Sequence, residues 1–135
     1  MENEDVFRAG TVIGSGVGSL QVVETACEII RNQGPRKINP LMIPQMISNM
    51  ATGKIAIQLE MRGKCINIAT SCATGTNNIG ETFRNIQYED ADIMVAGGSE
   101  SCITPTAIGG FSALRALSTT TDPLRASIPY DLRFF

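Results

Sequence analysis

Apolar residues recur at helical spacing in several segments of the chain and form short unbroken runs in others. Leu20, Val23, Cys27 and Ile30 share one helical face, with Val22, Ala26 and Ile29 beside them. Ser19 stands at the N-cap position, and Asn32-Gln33-Gly34-Pro35 reads as a stop. Arg36 to Pro40 reads as a loop, after which Pro44 opens a helix carrying Ile47, Met50, Ala51, Ile55 and Leu59, weakened at Gly53. Met42, Met46 and Met50 recur every fourth residue, a pattern that fills cores and equally suits a flexible face for a lipid-like chain or a partner. Ile79, Phe83 and Ile86 predict a further helix, and Pro105 begins another with Ile108, Phe111, Leu114 and Leu117 on one face. Strand runs lie at Thr11-Val12-Ile13, from Cys65 to Ala69, and at Ile93-Met94-Val95-Ala96. Residues 1–9 are expected to fray.

This alternation of strand and helix predicts an α/β domain, with a mixed, mostly parallel sheet flanked by helices. In such sheets the functional loops gather at the carboxyl ends of the strands. Three corners rich in glycine or small residues fall there, at 14–19, 70–76 and 97–102. They should meet, with Cys72 between them.

Cys72 lies in the run Thr70-Ser71-Cys72-Ala73-Thr74-Gly75, where a strand passes into a helix. Such a corner lifts a side chain to the tip of a sheet and aims free helix N–H groups at it. The positive end of a helix favours thiolate, and small neighbours let a carbonyl approach. The alternative is a buried thiol that only packs. Strand, Gly14-Ser15-Gly16-Val17-Gly18 and helix also resemble a dinucleotide-binding fingerprint. The spacing is Gly-x-Gly-x-Gly, and no strand ending in an acidic residue follows about 20 residues on. The other reading is that these glycines turn the backbone tightly beside some other site.

Composition narrows the chemistry. The 135 residues are 43% hydrophobic and 18% charged, with a net charge of −2, which gives no electrostatic reason to expect nucleic acid or an anionic membrane as partner. No apolar run approaches the roughly 18 residues of a spanning helix, and the acidic start is unlike a signal peptide. A soluble, cytoplasmic protein is the expectation. The four cysteines, at 27, 65, 72 and 102, form no Cys-x-x-Cys pair, and the chain has no histidine, so neither a metal site nor a cofactor is expected. A nucleophilic Cys72 would draw any imidazole partner from outside this chain.

Five segments in order carry a resemblance: Ile-Gly-Ser-Gly-Val-Gly at 13–18, Gly-Pro-Arg-Lys-Ile-Asn-Pro at 34–40, Thr-Ser-Cys-Ala-Thr-Gly at 70–75, Ala-Asp-Ile-Met-Val-Ala-Gly-Gly-Ser-Glu at 91–100, and Arg-Ala-Leu-Ser-Thr at 115–119. Together they resemble the β-ketoacyl-acyl carrier protein synthases, the condensing enzymes of fatty-acid synthesis, and the type II synthases most. The resemblance implies a thiolase-like fold, of which residues 1–135 would be part of the N-terminal half. It implies that Cys72 takes an acyl chain from acyl carrier protein as a thioester. The carbanion from decarboxylated malonyl carrier protein then attacks, and a 3-oxoacyl product leaves two carbons longer. The Cys72 N–H matches one of two oxyanion donors. Val17, Cys102, Ala107 and Phe111 match the lining of an acyl tunnel, and Met42 matches a residue reaching in from the second subunit of a homodimer.

The departures from the family shape the expectation. Ser71 stands where alanine is more frequent, a small change. The family's catalytic histidines, lysine and Phe-Gly loop belong to its carboxyl half, and residues 132–135 leave its pattern. The chain is therefore expected to be a truncated synthase, incomplete for condensation. The alternative is a non-catalytic module that binds acyl chains or dimerises.

Overall fold

A computed structural model describes residues 5–132. The chain divides into two compact units, Met1–Cys102 and Ile103–Phe135. The first unit is built around one strand, β1 (Ala9–Gly14), buried along its whole length. β2 (Cys65–Ile66) and β3 (Ile93–Gly98) flank it, both parallel to it, in the order β2-β1-β3. The register pairs Thr11 with Cys65 on one side and Thr11 with Val95 on the other. Every strand pair in this sheet is thus parallel, as the alternating pattern predicts.

Residues 5–9 stand in regular structure, where the sequence suggested a loose end. Asp5 caps a single 3-10 turn, Val6–Arg8, and β1 begins at Ala9. Arg8 holds Asp92 in a fork, Nε to Oδ2 and a terminal nitrogen to Oδ1, both at 2.6 Å, and also donates to the Glu89 carbonyl at 2.9 Å. The start of β1 is therefore tied to the start of β3 across 84 residues of chain. The expectation for residues 1–4 lies outside the described residues.

Helix α1 (Leu20–Gln33) follows the glycine corner. Ser19 Oγ accepts from Val22 N, and Gly34 ends the helix at φ +84°, both as the sequence predicts. The predicted apolar face is largely uncovered in this unit: Ala26 is buried, while Cys27 and Ile30 are exposed. The single helix expected from Pro44 is two, α2 (Met42–Met46) and α3 (Met50–Gln58). Pro44 sits in the first turn of α2, where a missing N–H costs nothing. The break has a physical cause at Gly18. This glycine, at φ +75°, presses against the Met46 carbonyl, and Ser19 N donates to that same oxygen at 3.1 Å. Ile47 then turns extended, at ψ 143°. Met42 and Met50 consequently belong to different helices rather than to one methionine face.

Ala9, Ala56 of α3 and Met61 form a small core, with Val95 packed against it. Ala9 and Thr11 face α3, whereas Gly14, on the other pleat, faces Asn78 of α4 (Thr74–Gln87). The two helices thus cover opposite faces of β1. The second unit contains α5 (Pro105–Ala113), capped by Thr104 Oγ1 accepting from Ala107 N at 3.2 Å, and a 3-10 turn, Pro123–Arg125, capped by Asp122. Ile108, Phe111, Leu114 and Leu117, the expected apolar face, are exposed, and Leu117 lies beyond the helix.

Candidate active site

The sequence predicts a strand running from Cys65 to Ala69 into the Cys72 corner. The ladder stops at Ile66, because a side chain replaces it. Asn78, completely buried on α4, accepts from Ile68 N at 3.1 Å, donates to Ile68 O at 3.2 Å, and donates to Gly97 O at 2.9 Å. One carboxamide stands in for a peptide unit between the two strand ends. Gly14 packs so closely against Ile68 O, Asn67 Oδ1 and Asn78 Nδ2 that a Cβ there would lie 2.6–2.7 Å from all three.

Thr70 then leads into a 3-10 turn, Ser71–Ala73, which runs directly into α4. Ser71 takes φ +51°, a left-handed conformation in a residue with a Cβ. The turn is pinned by hydrogen bonds from Thr70 N to Thr74 Oγ1 at 2.9 Å, Asn77 Nδ2 to Thr70 Oγ1 at 2.6 Å and Ala73 N to Thr70 O at 3.0 Å. Thr74 N likewise serves the turn by donating to Ser71 O. Cys72 sits exposed at its centre. No acceptor among the described residues takes the Cys72 N–H.

The three corners converge as the alternating pattern predicts. A Cβ on Gly16 would lie 3.4 Å from both Cα and O of Ser71, and one on Gly98 would lie 3.0 Å from Cα and N of Gly75. The residue that joins them went unnoticed in the sequence. Glu100, although exposed, places Oε1 2.7 Å from Ser15 Oγ and accepts with Oε2 from Gly16 N at 2.7 Å and Val17 N at 3.1 Å. Burial alone would raise its pKa. Hydrogen bonds from Ser15, Gly16, Cys102 and Val17 outweigh that and hold the carboxyl below the usual glutamate range. Burial and, after it, the hydrogen bond to Glu100 and its negative charge push the Cys102 thiol up. The only available signal was a carboxylate just after a glycine-ended strand.

This carboxylate also answers the dinucleotide reading of residues 14–18. The amides that a phosphate would need, those of Gly16 and Val17, are already taken by Glu100. The glycines serve the close approach of backbone to the Cys72 corner instead.

Of the expected tunnel residues, Val17 donates its N–H to Glu100, and Cys102 follows Glu100 by two residues. Met42 lies elsewhere in the first unit, on a groove of about 240 Å³ between α1 and α2, with Val22, Ala26, Ile29 and Ile38. Ala107, buried, and Phe111, exposed, stand four residues apart on α5 in the second unit. Among the described residues no cluster of His, Cys, Asp or Glu could hold a metal ion, and no helix is long and apolar enough to cross a membrane.

Helix α4, which the spacing of Ile79, Phe83 and Ile86 predicts, packs by a polar face. Its buried face is polar (Thr74, Asn78, Thr82 and Asn85), while Ile79, Phe83 and Ile86 point outward. Thr82 Oγ1 donates to Asn78 O at 2.8 Å, and Asn85 Nδ2 donates to Glu81 O at 2.7 Å. Each buried polar group there finds a partner.

Over nearly its whole length the chain is similar to 3-oxoacyl-acyl-carrier-protein synthases. The chain is 46% identical over 132 residues to the 3-oxoacyl-acyl-carrier-protein synthase 2 of Vibrio cholerae, covering 97% of this chain and 32% of the relative. It is 48% identical over 125 residues to the enzyme of that name from Coxiella burnetii, covering 92% and 30%. The chain thus spans about a third of the length of these curated relatives. A solved structure of a type II PKS acyl-carrier protein in complex with its ketosynthase bound to the hexaketide superposes with a TM-score of 0.81, at 29% identity, over 90% of this chain and 31% of that one. This is the thiolase-like fold that the resemblance implies. The family model for the N-terminal domain of β-ketoacyl synthases matches residues 1–133, and the chain belongs to that family.

Proposed function

We propose that this chain is the nucleophile-bearing part of a 3-oxoacyl-acyl carrier protein synthase of fatty-acid elongation. The exposed Cys72 at the head of α4, with an uncommitted N–H of its own, is the observation that carries this reading. The Cys72 sulfur, as thiolate, attacks the carbonyl of an acyl thioester. The Cys72 N–H stabilises the tetrahedral oxyanion, which collapses to the Cys72 thioester and expels the carrier thiolate. The proton lost by Cys72 is matched by the one that the departing thiolate takes from solvent. Val17, Cys102, Ala107 and Phe111 would line the acyl chain, and Met42 would reach the site of a partner subunit.

Condensation asks for more. Decarboxylation of the malonyl thioester leaves an enolate that must be stabilised before its carbon attacks the Cys72 thioester. No histidine is present among the 135 residues to do so. Acyl- and malonyl-loaded carrier proteins as partners, a homodimer and a cytoplasmic setting complete the reading.

Mass spectrometry after incubation with an acyl-pantetheine thioester tests it. The acyl mass should appear on Cys72, and Cys72→Ala should abolish it. Adding malonyl carrier protein to this chain alone should give no 3-oxoacyl product, and detection of one would refute that part. The outward apolar stripe of α4 favours a second reading, a module that associates or binds acyl chains. Dimerisation and acyl binding that both survive Cys72→Ala, with no thioester in the parent chain, would select it.

A further inference from the structure

The geometry points to Glu100 as a positioning residue for acyl-chain selection, a role that rests on the condensing-enzyme reading above. Its carboxylate joins two loops that leave the sheet separately. One follows β1 and carries Val17; the other follows β3 and carries Cys102. Three bonds fix the first loop: Oε1 to Ser15 Oγ at 2.7 Å, Gly16 N to Oε2 at 2.7 Å and Val17 N to Oε2 at 3.1 Å. Cys102 follows two residues along the same chain, so the carboxylate and this thiol share one short loop. Ser15 Oγ also accepts from Gly18 N at 2.8 Å, so the clamp reaches the start of the Gly18 turn. Two backbone amides converging on one anion form a nest, which a carboxylate satisfies and an aliphatic side chain cannot.

The consequence lies in width. Val17 and Cys102 are wall residues in the proposed acyl site, and Glu100 sets the gap between the loops that bear them. Gly16 stands beside both the carboxylate and Ser71, so the clamp also borders the turn that presents Cys72. Loosening it should blur discrimination among long chains and leave the chemistry at Cys72 in place.

The test compares Glu100→Ala, Glu100→Gln and the parent chain for transfer to Cys72 from acetyl-, hexanoyl-, dodecanoyl- and palmitoyl-pantetheine, read by mass spectrometry. Hydrogen exchange at the Gly16 and Val17 amides and along β1 accompanies it. Glu100→Ala should lose protection at Gly16 and Val17 but keep it along β1, and should flatten the chain-length profile by about tenfold between its extremes. Acetyl transfer should stay within about threefold of the parent, since this loss is of binding and not of nucleophile. Glu100→Gln retains an acceptor oxygen for the nest and should restore most of the profile. A variant profile that parallels the parent's at every length, even with protection lost, overturns the proposal and leaves the activity standing. A parent chain acylated by none of the four donors overturns the activity reading, and this role with it.

Discussion

Asn78 donates to the Gly97 carbonyl at 2.9 Å from a position with no solvent exposure, and so fastens the end of β3 to the head of α4. The same carboxamide satisfies both backbone groups of Ile68, where the ladder between β1 and β2 has already ended. The corner that presents Cys72 therefore depends on a side chain where a longer sheet would use backbone.

Asn78→Ala should accordingly cost about 3 kcal/mol, since it strands a buried N–H and two carbonyls, offset only where water enters. Asn78→Leu, which fits in volume but admits no water, should cost at least as much. Urea unfolding of the purified chain measures both. A loss under about 1 kcal/mol would show that the strand ends close up without the carboxamide.

Gly18 and Gly53 should respond in opposite directions to the same change. Gly18 holds φ +75° against the Met46 carbonyl, so Gly18→Ala meets both a forbidden conformation and a backbone atom, and should lose about 3 kcal/mol or more. Gly53 lies inside α3 with open space around it. Gly53→Ala should gain about 0.5–1 kcal/mol. Thermal unfolding of the two variants beside the parent decides it, and a tolerated Gly18→Ala would remove the explanation given for the break between α2 and α3.

These contrasts also show what the sequence could and could not disclose. Ser19, Gly34 and Pro105 announce helix ends through local chemistry, and local chemistry held: all three sit at or beside a cap. The convergence of the three corners followed from topology alone. The spacing of Ile79, Phe83 and Ile86 discloses helix α4, but not which of its faces is buried. The buried face spends the side chains of Asn78 and Asn85 on backbone carbonyls, which no periodicity reveals. Glu100 escaped for the same reason: a carboxylate hydrogen-bonded to amides 83 and 84 residues earlier leaves no local trace. The break at Ile47 likewise came from Gly18, far away in sequence.

Glu100 and Cys102 should give the chain an acid and an alkaline edge. The Glu100 carboxyl ionises more readily folded than unfolded. The stability it contributes is thus present above the ordinary glutamate value of 4.5 and lost as pH falls through its lower folded value. The Cys102 thiol is raised, so its contribution is present below the ordinary value of 9.0 and lost as pH climbs through the folded one. Iodoacetamide labelling followed by peptide mapping should find Cys102 modified later, and at higher pH, than an ordinary thiol. Glu100→Gln should move that profile toward lower pH by removing the adjacent charge. An unmoved profile would mean that burial alone holds the thiol.

Ser71 and Gly16 set how far the nucleophile turn can be altered. Ser71 holds φ +51°, which costs a residue with a Cβ about 1 kcal/mol. Ser71→Gly should therefore raise stability by up to about 1 kcal/mol, reduced by the greater freedom of glycine in the unfolded chain. Ser71→Ala should be close to neutral, because alanine meets the same backbone cost and forfeits no hydrogen bond identified for the hydroxyl. Ser71→Val adds branching at a left-handed position and should lose about 1–3 kcal/mol. Gly16→Ala probes the turn from the other side: its methyl would lie 2.9 Å from Glu100 Oε2 and 3.4 Å from the Ser71 Cα, so both must retreat. Transfer to Cys72 from acetyl-pantetheine should survive Ser71→Ala within about threefold. It should fall with Gly16→Ala and Ser71→Val, because a displaced turn misaims the sulfur relative to its own N–H. Full activity in both crowded variants, at unchanged stability, would show that the left-handed residue is incidental to how Cys72 is presented.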